Sequence, residues 1–150
     1  MSGFRRGVRL GIDVGRARVG VARCDPDGML AVPVETVPRS ETSVARIVEI
    51  AREYDPIAIL VGLPISLGGS ETASTTDARE FATELSAAVD VPIRLVDERL
   101  STVSANAVLR QNGRSQKSSR RIVDQIAAVV LLQQAIDVEK STGNPAGAAL

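Results

Sequence analysis

Three acidic residues stand in otherwise apolar stretches, and the chain contains no histidine. Asp13 lies in Leu10-Gly-Ile-Asp-Val-Gly15, and Glu98 closes Ile93-Arg-Leu-Val-Asp-Glu98. Asp124 sits in Ile122-Val-Asp-Gln-Ile-Ala-Ala-Val-Val-Leu-Leu132. Carboxylates are rarely buried unless paired or bound to a cation, so a divalent metal would account for three that converge. Oxygen ligands alone suit a hard ion, Mg²⁺ or Mn²⁺, rather than zinc or copper. The missing histidine excludes a Ser-His-Asp triad, a His-ligated zinc and a histidine base. Water activated by the ion is then the natural nucleophile. Two ions ~3.5–4 Å apart, completed by a substrate phosphate, could hold the attacking and leaving oxygens of an in-line phosphoryl displacement.

Each acid also has a plainer explanation. Asp13 could be a Gly-Asp turn at a strand end. Glu98 could pair with Arg99 or cap a helix near Ser101. Asp124 could be an acid in the first turn of a helix, where the dipole favours it, or a partner of Arg120 or Arg121. Asp124 discriminates best, because its helical stripe, completed by Ala128, Leu131 and Ala135, is apolar apart from itself. Strand alternation sends Asp97 and Glu98 to opposite faces, so only one of them can join a site, and Glu98 is the expected member.

The chain has 150 residues, enough for one domain with a layered core. That core must be aliphatic, since the aromatic residues are Phe4, Tyr54 and Phe81. The formal net charge is zero, so global charge does not mark a nucleic-acid binder. Locally, Arg5, Arg6, Arg9, Arg16, Arg18 and Arg23 crowd the N-terminal stretch with one acid among them, Asp13. Arg110, Arg114, Lys117, Arg120 and Arg121 form a second basic stretch that directly precedes Asp124. Most charge runs are solvated surface; the second is read as functional because of that position. Cys24 is the single cysteine, which rules out an internal disulfide and fits a reducing cytosol. No apolar run approaches the length of a membrane span, and a cytoplasmic protein is expected.

Several elements must position the acids. Val8 to Val14 alternates as a strand, Val19 to Cys24 is a second, and Asp25-Pro-Asp-Gly28 turns the chain into a third at Leu30 to Val37. Val44 to Tyr54 is an amphipathic helix, Ile57 to Gly62 a strand covered on both faces, and Leu63 to Thr76 a mobile loop. Asp77 to Val89 is a helix, Pro92 to Asp97 a strand, and Ser101 or Thr102 to Gln111 a helix. A basic loop from Gly113 to Ser119 leads into a long helix from Arg120 to about Glu139. The expected domain spans 1–140, with a flexible tail at 141–150. The fold class is α/β with a mixed sheet, in which an antiparallel three-strand meander is followed by two parallel strands flanked by helices. Asp13 and Glu98 then fall at carboxyl ends of strands around a topological switch point, where ligands bind.

At these residues the chain resembles the YqgF/RuvX family, described both as Holliday-junction resolvases and as pre-16S rRNA nucleases. The resemblance rests on Gly11-Ile-Asp-Val-Gly15 with Arg18-Val-Gly-Val-Ala22, Val61-Gly-Leu-Pro64, Asp97-Glu-Arg-Leu-Ser-Thr102 with Ala105, and Asp124-Gln-Ile-Ala-Ala128. It spans nearly the whole domain. It implies an RNase H-like fold with a five-stranded mixed sheet between helices. It also implies a metal-dependent nuclease whose acidic triad falls on Asp13, Glu98 and Asp124, acting in DNA recombination and repair or in rRNA processing and ribosome biogenesis. The chain departs from the family pattern in Gln116, Ser118 and Ser119, and in Ser66 to Gly69, positions that bear on substrate grip.

The residues expected to grip substrate are Arg16, Arg18, Arg99, Arg114 and Lys117, through phosphates rather than bases. The shortage of aromatics argues against a stacking platform for single strands and leaves shape recognition of a junction, duplex or structured RNA. A four-way junction has two equivalent strands to cut, so a resolvase should act as a two-fold homodimer. Two other functions compete. One is a non-catalytic RNA- or protein-binding factor in ribosome assembly. The other is an actin-like phosphotransferase, disfavoured because such enzymes bind nucleotide between two domains of this kind.

Overall fold

The alternating run at the N-terminus forms strand β1 (Arg9–Val14), with Leu10, Ile12 and Val14 on one face and Arg9, Gly11 and Asp13 on the other. The structure, a computed structural model, describes residues 4–66, 68–97 and 116–150, with side chains in the last segment described from residue 125 onward. Strand β2 (Arg18–Cys24) returns antiparallel to β1, and β3 (Ala31–Pro38) antiparallel to β2, with a bulge between Val21 and Ala22. The Asp25 carboxylate makes the second turn by accepting the backbone N–H groups of Asp27, Met29 and Leu30.

Helix α1 (Ser43–Tyr54) then crosses to β4 (Ala58–Leu63), which pairs parallel to β1 and is buried along its whole length. Helix α2 (Ala73–Ala88) leads to β5 (Ile93–Asp97), parallel to β4. Helix α3 (Gln116–Thr142) follows, and a short strand β6 (Ala148–Ala149) pairs antiparallel with β5. The sheet order is β3-β2-β1-β4-β5-β6.

The meander and parallel strands are as expected, but the sheet has six strands rather than five. The extra strand comes from the segment read as a flexible tail. Gly147 turns at φ +75°, Leu150 N–H donates to the Ile93 carbonyl, and the Arg94 guanidinium holds the Ala146 and Gly147 carbonyls. A two-residue strand of alanines carries no periodicity, so its pairing could not be read locally. The segment expected as a loop from Leu63 to Thr76 gives way to α2 at Ala73. Before that helix, Ile65 bridges Glu71, and the buried Thr75 hydroxyl donates to the Pro64 carbonyl while accepting the Thr72 N–H. Helix α3 begins at Gln116, inside the stretch read as a basic loop. The helix expected from residue 101 to 111 lies outside the described residues.

Two cores sandwich the sheet. On one face Leu10, Ile12, Val19, Val21, Ile59 and Val61 pack against Ile47 and Ile50 of α1 and Phe81 and Leu85 of α2. On the other, Ala22, Cys24, Ala31 and Leu60 meet Ala128, Leu132, Ala135 and Ile136 of α3. Each fully buried Val, Leu or Ile contributes roughly 1.5–3 kcal/mol. The second core is built from small residues, so α3 lies close to the sheet. A Cβ at Gly11 would stand 2.9 Å from Leu132 Cβ and 3.0 Å from the Ala128 carbonyl oxygen. Gly11→Ala is therefore expected to push α3 off β1, costing about 1–3 kcal/mol by overpacking. A thermal melt should show the midpoint lower by roughly 3–10 °C.

Candidate active site

Helix α3 descends along the open face of β1. At the first end of the strand, Arg9 meets Glu139 at 2.6 Å. Two residues on, Gly11 lies under Leu132 and Ala128. Beyond them, Gln125 Nε2 donates to Thr36 Oγ1 at 2.7 Å. Thr36 is in register with Gly20, and Gly20 with Asp13. The helical turn that includes Asp124 therefore crosses the sheet at the row containing Asp13. Asp13 is buried, 8% exposed, at the carboxyl end of β1. Its row is clear of side chains on both sides, with Gly20 on β2 and, next in register after the Ile12–Val61 pair, Gly62 on β4.

The hairpin after Asp13 is tightly tied. Gly15 N–H donates to the Arg18 carbonyl at 2.9 Å, and a Cβ at Gly15 would stand 2.7 Å from that oxygen. The Arg39 backbone N–H bonds the Ala17 carbonyl. The Arg39 guanidinium bonds the Gly15 carbonyl at 2.9 Å and grips Asp77 of α2 with two hydrogen bonds, its face 5.0 Å from the Phe81 ring. Those bonds hold the Asp77 carboxyl below its usual range, against the opposing effect of desolvation. Arg39 so clamps the loop that follows Asp13 to α2. It was missed in the sequence because its partners lie 24 and 38 positions away.

Of the N-terminal arginines, Arg16 and Arg18 stand at this end of the sheet. The other four are used elsewhere: Arg5 and Arg9 on Glu139, Arg6 on Asp27, and Arg23 over Tyr54. Arg16 lines a hollow of about 430 Å³ with Arg39, Ser40 and Asp77. Arg18 lines a groove of about 590 Å³ with Thr36 and Gln125.

Glu98, Arg99 and Arg114 lie outside the described residues, and Asp124 and Lys117 are placed by the backbone of α3 alone. Among the described residues, no three His, Cys, Asp or Glu side chains gather as a metal site. The Asp13 carboxylate fits one ligand position for a hard cation. The soft donor Cys24 is buried in the α3-side core, where its sulfur accepts the Arg9 N–H, and burial pushes the thiol pKa up. Asp97 ends β5 in alternation with Ile93 and Leu95, which face α1 and α2, so it belongs to the face opposite Asp13.

Comparison with known proteins gives the fold type and the family of this chain. A solved structure described as "T. thermophilus RuvC in complex with Holliday junction substrate" superposes with a TM-score of 0.59 at 18% identity, covering 95% of this chain and 99% of that one. That likeness defines an RNase H-like fold of the RuvC type. Residues 7–138 match the family RuvX, described as Holliday junction resolvase, and the chain belongs to that family of nucleases. A protein of Clavibacter michiganensis subsp. michiganensis named "Putative pre-16S rRNA nuclease" is 51% identical over 97% of this chain and 92% of its own length. One of the same name from Streptomyces coelicolor is 50% identical over 96% and 88%. Among the described residues, no helix is long and apolar enough to cross a membrane.

Proposed function

We propose that this chain is a divalent-metal-dependent endonuclease that hydrolyses phosphodiester bonds in structured nucleic acid, either branched DNA or precursor 16S rRNA. Asp13, Glu98 and Asp124 hold the ions in this reading. The observation that carries it is the buried carboxylate of Asp13 at a strand's carboxyl end, in a glycine-lined row that the Asp124 turn of α3 crosses. The alternation that turns Asp97 away supports Glu98 as the third ligand.

Mg²⁺ or Mn²⁺ held by these oxygens, as two ions once substrate is bound, would neutralise charge on the attacked phosphate and on its entering and leaving oxygens. The chain's own part is to fix those oxygens. Asp13 is set by the β1 ladder and by the Arg39 clamp on the loop behind it. Arg16 and Arg18, with Arg99, Arg114 and Lys117, contact backbone phosphates and position the substrate without reading its sequence. On a four-way junction the chain acts as a two-fold dimer.

Purified protein should be offered labelled junction DNA and precursor rRNA side by side, with Mg²⁺, with Mn²⁺ and with chelator. Cleavage leaving 5′-phosphate and 3′-hydroxyl ends, abolished by chelator and restored by either ion, is the expected result. Cleavage indifferent to chelator would overturn the metal mechanism.

A further inference from the structure

We infer that the groove lined by Ala17, Arg18, Glu35, Thr36, Pro38 and Gln125 is a subsite for the sugar and base of the nucleotide next to the scissile phosphate. The inference rests on the proposed nuclease reading for what is cut, but not for what the groove binds. Three observations carry it.

The first is position. Thr36 lies in register with Gly20 and Gly20 with Asp13, so the groove sits two strands, about 10 Å, from Asp13 on the face that α3 covers. Gly20 puts no side chain in the way. A strand held at Asp13 by one phosphate would run its neighbouring nucleotide across Gly20 onto Thr36.

The second is chemistry. Among the described lining residues Arg18 is the cation, two residues along β2 from Gly20, and it suits a backbone phosphate rather than a sugar or base. Glu35 alternates with Thr36 and so turns to the α1 side of the sheet, where Arg46 binds its carboxylate with two hydrogen bonds at 2.8 and 2.6 Å and holds its pKa below the usual range. The remaining polar groups are neutral, a hydroxyl and a carboxamide. Thr36 Oγ1 accepts from Gln125 Nε2 and keeps its own proton to donate; the carboxamide has a second N–H and a carbonyl oxygen. Such groups match sugar hydroxyls and base edges. No aromatic side chain lines the groove among the described residues, so binding there is by hydrogen bonding rather than stacking.

The third is size and framing. A volume of about 590 Å³ falls in the ordinary range for small-ligand sites. The two polar groups come from β3 and α3 and are fixed by their mutual hydrogen bond, so they are set before a ligand arrives. Gln125 follows Asp124 directly, so a nucleotide seated here reports to the same helical turn as the proposed metal ligand.

The test is binding of a fluorescent junction duplex, and of its RNA counterpart, to the full chain in chelator, measured by anisotropy over a salt series. Thr36→Val and Gln125→Ala are each expected to weaken binding of at least one of the two by about 5–30-fold, the range for one or two lost hydrogen bonds. The slope of affinity against salt should stay unchanged, because no phosphate contact is lost. Arg18→Ala should instead reduce that slope by about one ion. Thermal melts identify any variant whose fold has suffered, and Thr36→Ser, which keeps the hydroxyl, should bind like the wild type. Wild-type affinity in both Thr36→Val and Gln125→Ala, or a loss accompanied by a lower salt slope, overturns the subsite. Failure of the nuclease reading looks different: the wild type then cuts nothing when metal is supplied, while the binding differences persist.

Discussion

Asp13→Asn should leave a folded protein that does not cut. The substitution keeps the shape and volume of the side chain and removes its charge, at a position 8% exposed and held in the β1–β2 ladder. An amide oxygen is a poor substitute for a carboxylate on a hard divalent ion. Stabilisation of phosphoryl charge by such ions amounts to several kcal/mol, so a loss of about 4 kcal/mol, roughly a thousandfold in rate, is expected. Single-turnover cleavage at saturating protein reads the loss without confusion from binding. Circular dichroism and a thermal melt check that the sheet survives. Normal cleavage by this variant in Mg²⁺ would sink the site assignment. Complementation gives the biological counterpart: full rescue by Asp13→Asn would favour the competing role, a binding factor in ribosome assembly that needs no chemistry.

The other large effect lies at the opposite end of β1. Arg9 and Glu139 are 2% and 3% exposed and joined at 2.6 Å. Arg9 also donates to the Gly7 and Arg5 carbonyls and lies over the Phe4 ring, 4.2 Å from its centre. Glu139 accepts further bonds from the Arg5 backbone N–H and guanidinium. The pair locks the last turns of α3 to β1 and so sets the helix's slide along the sheet. Removing one partner strands a buried charge, which costs about 3–5 kcal/mol. Glu139→Ala should thus lower the melting midpoint by roughly 6–20 °C, and urea denaturation should show the same loss. A double replacement, Arg9→Met with Glu139→Leu, should recover much of it, since apolar isosteres often match a buried pair.

The same carboxylate makes stability depend on acid. Burial alone would raise the Glu139 pKa, yet the hydrogen bonds and charge of Arg5 and Arg9 outweigh it and hold the group below its ordinary value. The folded form therefore takes up its proton at lower pH than the unfolded chain. Its contribution is full above the unfolded value of about 4.3 and is lost as pH falls through the folded value. Denaturant midpoints from pH 7 down to 3 should show that loss in the wild type and a flatter profile in Glu139→Gln. An identical slope in both would assign the acid sensitivity to other carboxylates held low by arginine, such as Glu35 and Asp77.

Much of this molecule is written locally. The period-two run at Val8 to Val14, the Asp25-Pro-Asp-Gly28 turn, the apolar run of β4 and the helical stripe around Asp124 depend on neighbours a few residues away, and such patterns decide strand, turn and helix by themselves. Asp13 could be picked out for the same reason, as an acid between glycines in a strand. The segments resembling the RuvX family were equally legible, being short strings of residue types in order. The fold class and family are therefore legible in the sequence itself.

Only the folded chain decided which groups meet across long stretches of sequence. Arg9 finds Glu139 at a separation of 130 residues, Arg39 finds Asp77 at 38, and Gln125 finds Thr36 at 89. No periodicity encodes such pairings, because they follow from the slide of a helix over a sheet and from strand register. The same limit applied to the N-terminal arginines, which look alike in sequence and divide in space between ion pairs, a ring contact and the edge near Asp13. It applied as well to β6, where alanine, with neither pattern nor propensity to mark it, becomes a strand because the neighbouring edge of β5 offers backbone partners.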